Sequence, residues 1–150
     1  MGQEIERKYL VTNDAFKKHA KSSLIRQGYL TADAHKPVRV RVIDKNAWLN
    51  IKAKMQGLKR YEFEYEIPVT DANQMLDALC YQPVIEKVRY VVEYGGITWE
   101  IDEFLGANKG LVIAEVELHD ENQDIDLPSW IGREVTGDQR YYNAYIAKNP

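Results

Sequence analysis

Charged residues recur at every second position through much of this chain, and that spacing permits few folds. The first ten residues contain Glu4, Glu6 and Lys8, separated by Ile5 and Arg7. The habit returns in Arg39-Val40-Arg41, Lys52-Ala53-Lys54, Glu62-Phe63-Glu64-Tyr65-Glu66, Lys87-Val88-Arg89, Glu100-Ile101-Asp102 and Glu115-Val116-Glu117. Side chains alternate faces along a β-strand, so each segment sets a charged face against a mainly apolar one. One such strand would make a solvated edge. Many in succession point to a closed sheet turned inside out, with charges lining a wet interior and aliphatic residues facing outward. A barrel with polar faces in solvent and an apolar ligand inside satisfies the same alternation.

The distribution of sign favours the first arrangement. Positive charge sits on 39/41, 52/54 and 87/89, and negative charge on 4/6, 62/64/66, 100/102 and 115/117. A surface built for solubility intersperses its signs. Like charges two residues apart repel, a cost more readily borne where a counter-ion lies between them. For carboxylates that ion is a divalent cation, and for Arg and Lys a polyanion. Arg39 and Arg41 suit bidentate contacts to phosphate oxygens, while Lys8, Lys52, Lys54 and Lys87 serve as compact point charges. The carboxylates are hard oxygen donors of the kind that hold Mg2+ or Mn2+ together with water and phosphate. A lumen so charged has to be hydrated, since burying many bare ions costs several kcal/mol each.

Period-two runs and turn signals predict strands near 2–11, 24–31, 37–44, 47–55, 59–68, 84–94, 97–105 and 111–118, enough to close a small antiparallel barrel as a meander. Asp44-Lys45-Asn46, Gln56-Gly57-Leu58, Gly95-Gly96 and the segment from Gly106 to Gly110 read as hairpin turns. Helices are expected over 13–22, capped by Thr12 or Asn13, over 71–80, opened by Thr70 or Asp71, and over 138–148. The fold class is therefore mainly β with added helices, an eight-stranded antiparallel closed barrel whose helices pack outside or plug one end. No linker divides the 150 residues, so residues 1–150 form one domain.

Composition removes several function classes. The formal net charge of -3 offers no basic field for nucleic acid. A charged strand occupies the amino terminus, where a secretion signal needs an apolar stretch, and no apolar run is long enough to span a membrane. A single cysteine, Cys80, excludes an internal disulfide and fits the cytoplasm. Cys80 lies in an apolar helical pattern and reads as a small buried hydrophobe. His19, His35 and His119 lack metal-ligand spacing and read as surface or structural residues. Trp99 has outward parity and Trp130 follows Pro128 in a connection, so both read as packing residues. Tyr29 faces inward if Gln27 does, to touch substrate or order a lysine.

Glu4-Ile5-Glu6-Arg7-Lys8 resembles the ExExK signature of the CYTH family, also called triphosphate tunnel metalloenzymes. Gln27-Gly28-Tyr29-Leu30, Val38-Arg39-Val40-Arg41, Asn50-Ile51-Lys52, Arg60-Tyr61-Glu62-Phe63-Glu64, Glu86-Lys87-Val88-Arg89-Tyr90, Trp99-Glu100-Ile101-Asp102-Glu103-Phe104, Ala114-Glu115-Val116-Glu117 and Val135 to Asn143 resemble further family motifs in family order. The resemblance implies a tunnel that binds a triphosphate with Mg2+ or Mn2+. Carried onto this chain, Lys8, Arg39, Arg41, Lys52, Lys87 and Arg89 would contact phosphates, with Lys54 and Tyr29 as further substrate contacts. Glu4, Glu6, Glu62, Glu64, Asp102, Glu115 and Glu117 would bind or orient metal and water. Glu4, Glu6, Lys8 and Lys87 would carry catalysis, and Glu66, Glu100 and Lys54 would stand towards a tunnel mouth. The short chain looks like bacterial members that hydrolyse inorganic tripolyphosphate, and a homodimer is compatible with it. A class IV adenylate cyclase, a nucleoside or thiamine triphosphatase and a polyphosphate-binding module are the alternatives.

Overall fold

The computed structural model describes residues 3–31, 33 and 35–148; residue 2, the expected start of the first strand, lies outside them. Nine strands form: β1 (Gln3–Val11), β2 (Lys21–Thr31), β3 (Val38–Ile43), β4 (Asn46–Lys54), β5 (Lys59–Ile67), β6 (Ile85–Tyr94), β7 (Ile97–Phe104), β8 (Val112–Glu117) and β9 (Ile131–Glu134). Two α-helices accompany them, α1 (Val69–Ala78) and α2 (Asn143–Lys148). The first eight strands close a ring in the order β1-β5-β4-β3-β2-β6-β7-β8, and every pairing is antiparallel.

The ring is not a plain meander. Strands β2 to β5 make one meander and β6 to β8 another, and α1 carries the chain between them so that β6 lies against β2. Strand β1 closes the seam. Its residues Gln3 to Ile5 pair with β5, Glu6 to Leu10 pair with β8, and Tyr9 and Val11 pair with β9. The short β9 thus takes the edge of β1 that β5 leaves, which keeps the seam from exposing unpaired backbone.

The expected helix over 13–22 is a 3-10 turn, Ala15–His19, because Lys21, Ser22 and Ser23 are drawn into β2 by pairing with Val91, Tyr90 and Arg89. Asn13 still does part of a cap's work, its Oδ1 accepting from the Ala15 N–H at 3.0 Å. Helix α1 begins at Val69, with Pro68 at the N-cap position and Asp71 in its first turn. The expected terminal helix is divided into a 3-10 turn, Gln139–Tyr141, and α2. Gly95 and Gly96 take φ of 60° and 77°, the pair of positive values that a tight hairpin turn requires.

Three apolar clusters hold the barrel. Ile5, Tyr9, Trp99, Ile101 and Val116 pack outside it under Phe16 and Trp130. Val40 and Ala47 meet Ala72, Leu76 and Cys80 beneath α1. Gly28 allows that close approach, since a Cβ there would lie 2.9 Å from the Cβ of Cys80. The third cluster is internal: Tyr29, Ile85, Phe104 and Ile113 gather around Ile146 of α2, which stops one end of the barrel. The outer face of β5 stays uncovered, with Tyr61, Phe63 and Tyr65 all exposed, although its aromatic residues called for a cover. No helix among the described residues is long and apolar enough to cross a membrane.

Candidate active site

The charged parity faces inward. A cavity of about 300 Å3 runs within the ring, lined by the cations Lys8, Arg39, Arg41, Lys52, Arg60 and Arg89 and by the carboxylates of Glu4, Glu6, Glu62, Glu100, Glu115 and Glu117. Tyr29, Tyr142 and Asn143 are also among its walls. Cross-strand register sorts the charges. Strands β2, β3, β6 and β7 build a cationic side, because Arg39 stands opposite Tyr29, Arg41 opposite Gln27 and Arg89 opposite Asp102. Strands β1, β5 and β8 build the acidic side, where Glu6 lies opposite Glu117 and Lys8 opposite Glu115.

The cationic side is one connected network. Arg41 Nε donates to Gln27 Oε1 at 2.9 Å, and Gln27 Nε2 donates to Asn143 Oδ1 at 3.0 Å. Lys87 Nζ also donates to Asn143 Oδ1 at 3.0 Å, and to Asp102 Oδ2 at 2.7 Å. Arg89 grips Asp102 with Nε at 2.8 Å and Nη2 at 2.9 Å. Arg41 and Lys87 have only donors to offer, so both amides are oriented uniquely: each turns its oxygen towards a cation. Burial, then Arg39 and Arg89, lower Arg41 to about 9. Burial also drives Lys87 well below its ordinary value against the pull of Asp102. For Asp102 the cost of burial is overcome by Arg89 and Lys87, which hold it far below the usual carboxylate range. Arg39 differs from its neighbours. It is 6% exposed, makes no ion pair among the described residues, and leaves its Nε without a hydrogen-bond partner.

On the acidic side Glu4, Glu6, Glu62 and Glu115 each meet a cation. Lys52 Nζ is 3.1 Å from Glu4 and 3.7 Å from Glu62, Arg60 Nη1 is 3.7 Å from Glu6, and Lys8 Nζ is 3.5 Å from Glu115. Asn50 Nδ2 donates to Glu62 at 3.3 Å and to Glu64 at 3.2 Å. Burial raises Glu4 to about 7 despite Lys52, and burial with Glu115 nearby raises Glu6. Glu115 goes the other way, to about 2, since Lys8 and Arg89 outweigh its burial. For Lys8 burial is opposed and exceeded by Glu115 and Glu6, so its pKa rises.

These donors suit a hard divalent cation. Mg2+ typically takes one or two carboxylates and completes its shell with water and phosphate, and Glu4, Glu6, Glu115 and Glu117 share one hydrated cavity. Glu4 Oε1 is buried and has Lys52 as its ion-pair partner, at 3.1 Å. Among the described residues no three acidic or histidine side chains converge closely enough to hold a metal unaided. A cation here would depend on the oxygens of water and substrate.

Most of the residues singled out in the sequence meet in this cavity. Glu4, Glu6, Lys8, Tyr29, Arg39, Arg41, Lys52, Glu62, Arg89, Glu115 and Glu117 all line it. Lys87 and Asp102 do not. Lys87 is wholly buried with its ammonium engaged by Asp102 and Asn143. Asp102 has both oxygens occupied by Lys87 and Arg89. Glu64 is exposed beside Asn50 outside the lining, and Lys54 faces a second cavity. Arg60, Gln27, Tyr142 and Asn143 belong to the site without having been assigned to it. Arg60 shares the inward parity of Glu62, which was signal enough. Asn143 and Tyr142 lie in the Val135 to Asn143 segment that resembles a family motif, but no charge or strand parity marked them, and the fold of the last segment brings them inside.

Residues 2–142 match the description of the CYTH domain, nearly the whole of the chain. The chain belongs to the CYTH family. Its CYTH relatives include the inorganic triphosphatase of Acetivibrio thermocellus, 56% identical over 150 residues, an alignment that covers 100% of this chain and 96% of that one. A second, the inorganic triphosphatase of Nitrosomonas europaea, is 37% identical over 149 residues, covering 96% of each. A crystal structure of an inorganic triphosphatase superposes with a TM-score of 0.71 at 33% identity, covering 98% of this chain and 95% of that one. The closed antiparallel barrel is thus the CYTH tunnel fold.

Proposed function

We propose that this chain hydrolyses inorganic triphosphate to diphosphate and phosphate, using Mg2+ or Mn2+ held at the acidic side of the tunnel. The observation that carries the reading is Arg39, a buried guanidinium without an acceptor beside Arg41 in a hydrated cavity. A buried donor left unpaired is costly, and phosphate oxygens would satisfy it. The triphosphatase relatives at 56% and 37% identity support the substrate class.

Charge balance supports the metal. Six cations and six carboxylates line the cavity, so it is formally neutral before anything binds. A triphosphate adds about four negative charges near neutral pH. Left alone, that charge would be partly desolvated and uncompensated, and about two divalent cations would offset it. Bound among Glu4, Glu6, Glu115 and Glu117, the cation would supply charge neutralisation at the phosphates and a more acidic water.

The protein's own residues do the rest. Arg39, Arg41 and Arg89 grip phosphate oxygens, with Lys8 and Lys52 released from Glu115 and Glu4 to do the same. Lys87, pinned by Asp102 and Asn143, adds positive potential from beneath. The water oxygen bonds to a terminal phosphorus as the bridging P–O bond breaks, its electron pair leaves on the diphosphate, and one water proton passes to the cavity water. Stabilising charge on the equatorial oxygens and holding attacking and leaving oxygens in line account for most of the acceleration in such transfers.

A panel of inorganic, nucleoside and thiamine triphosphates assayed with Mg2+ and Mn2+ tests the reading. Inorganic triphosphate is expected to give the highest kcat/KM. Cyclic AMP from ATP would indicate a cyclase instead, and tight binding of every compound without turnover a binding module.

A further inference from the structure

A second cavity, of about 100 Å3, lies beside the first and shares four of its walls: Glu6, Lys8, Arg60 and Tyr142. Those four side chains form a partition. Arg60 pairs with Glu6 at 3.7 Å, the Tyr142 ring centre lies 5.0 Å from Lys8 Nζ, and it lies 5.1 Å from the Arg60 guanidinium carbon. One aromatic ring thus holds two cations that would otherwise repel each other. Beyond the partition the charge is unbalanced. Lys8, Arg60 and Lys54 face a single carboxylate, Glu6, with His35 at the same wall. Glu6, Lys8 and Arg60 are shared with the formally neutral first cavity, so the cation that the second adds is Lys54. Its volume admits several waters, or one phosphoryl group in their place.

We propose that Tyr142 is a specificity-determining gate that limits the tunnel to a chain of three phosphates, and that the cavity behind it is an anion subsite for the next phosphoryl unit of a longer linear polyphosphate. The proposal rests on the triphosphate reading of the first cavity and extends it to chain length. Tyr142 comes from the turn before α2, so the segment that stops the end of the barrel also sets the length of the tunnel. Cation–π contacts of this kind strengthen when they are desolvated. The ring therefore stands at the wall the two cavities share, against both Lys8 and Arg60.

The test compares linear tetraphosphate with inorganic triphosphate in the wild-type protein, Tyr142→Phe and Tyr142→Ala. Removing the ring is expected to raise the ratio of kcat/KM for tetraphosphate over triphosphate about tenfold, which is about 1.4 kcal/mol. Tyr142→Phe, which keeps the ring, is expected to leave the ratio unchanged. Thermal stabilisation by each compound, read without turnover, is expected to shift towards tetraphosphate in Tyr142→Ala alone. An unchanged ratio and unchanged stabilisation in Tyr142→Ala would overturn the gate. Tyr142→Leu answers the same question should the alanine variant not fold. A wild-type protein stabilised by both compounds but releasing no phosphate would refute the hydrolase reading, while the stabilisation data would still decide the gate.

Discussion

Replacing Asp102 by Asn removes one charge while leaving shape and an acceptor in place, and it separates two roles for this carboxylate. Asp102 is 3% exposed and binds Lys87 at 2.7 Å and Arg89 at 2.8 and 2.9 Å. Without its charge, Lys87, Arg41 and Arg39 have no ion pair left among the described residues, and Arg89 keeps only the partly exposed Glu100, at 3.4 Å. Breaking a buried pair from one side costs about 3–5 kcal/mol. For a domain of this size that lowers the midpoint of thermal unfolding by about 10 °C. Inorganic triphosphate supplies the missing negative charge, so it should stabilise the variant more than the wild type. A ligand at about a hundred times its Kd contributes about 2.7 kcal/mol to a protein it binds only when folded. Urea unfolding of both proteins, with and without inorganic triphosphate, measures each quantity. A loss below about 1 kcal/mol, with equal stabilisation of both proteins by the anion, would refute the reasoning.

Three further outcomes follow from the site. Glu4 is raised to about 7 by burial, so a proton competes with metal there, and apparent Mn2+ affinity should rise about tenfold per pH unit below 7 and level off above it. The sign for stability is opposite: the raised pKa means that the metal-free protein loses stability from Glu4 as pH climbs from 4.5 towards 7, because the unfolded chain gives up that proton first. Calorimetric titration with Mn2+ across pH 7 checks the first, and a flat profile would contradict it. Asn143→Leu strands donors on Gln27 and Lys87 at about 1–3 kcal/mol, and kcat/KM for inorganic triphosphate should fall about tenfold with the barrel intact by circular dichroism.

The strands and the sense of their faces were legible in the sequence because alternation is a local signal. Spacing put Glu4, Glu6 and Lys8 on one face, and the sorting of sign along the chain favoured the lumen over bulk solvent for that face. Partnerships were not legible. Whether Lys52 meets Glu4 or Glu62, and whether Asp102 meets metal or Arg89, depends on cross-strand register, which spacing within one strand does not encode. The seam was hidden for a related reason, since β9 is four residues long and exists only because β1 has an edge left to fill. The helix expected over 13–22 gave way to sheet pairing, tertiary context overriding a helical pattern. The last segment was the least legible: its polar residues read as an ordinary terminal helix, yet Ile146 stops the barrel and Asn143 and Tyr142 complete the site.

Metal dependence of turnover bears most directly on the proposed chemistry. Chelator-treated protein is mixed with inorganic triphosphate, Mg2+ or Mn2+ is titrated in, and phosphate and diphosphate are quantified for the wild type, Glu4→Gln and Glu6→Gln. The expected result is no release without metal, saturable release of the two products in equal amounts as metal is added, and loss of that release in both variants with the fold retained. Release that is independent of metal, or that survives both substitutions, would contradict the assignment of the acidic side as the metal site.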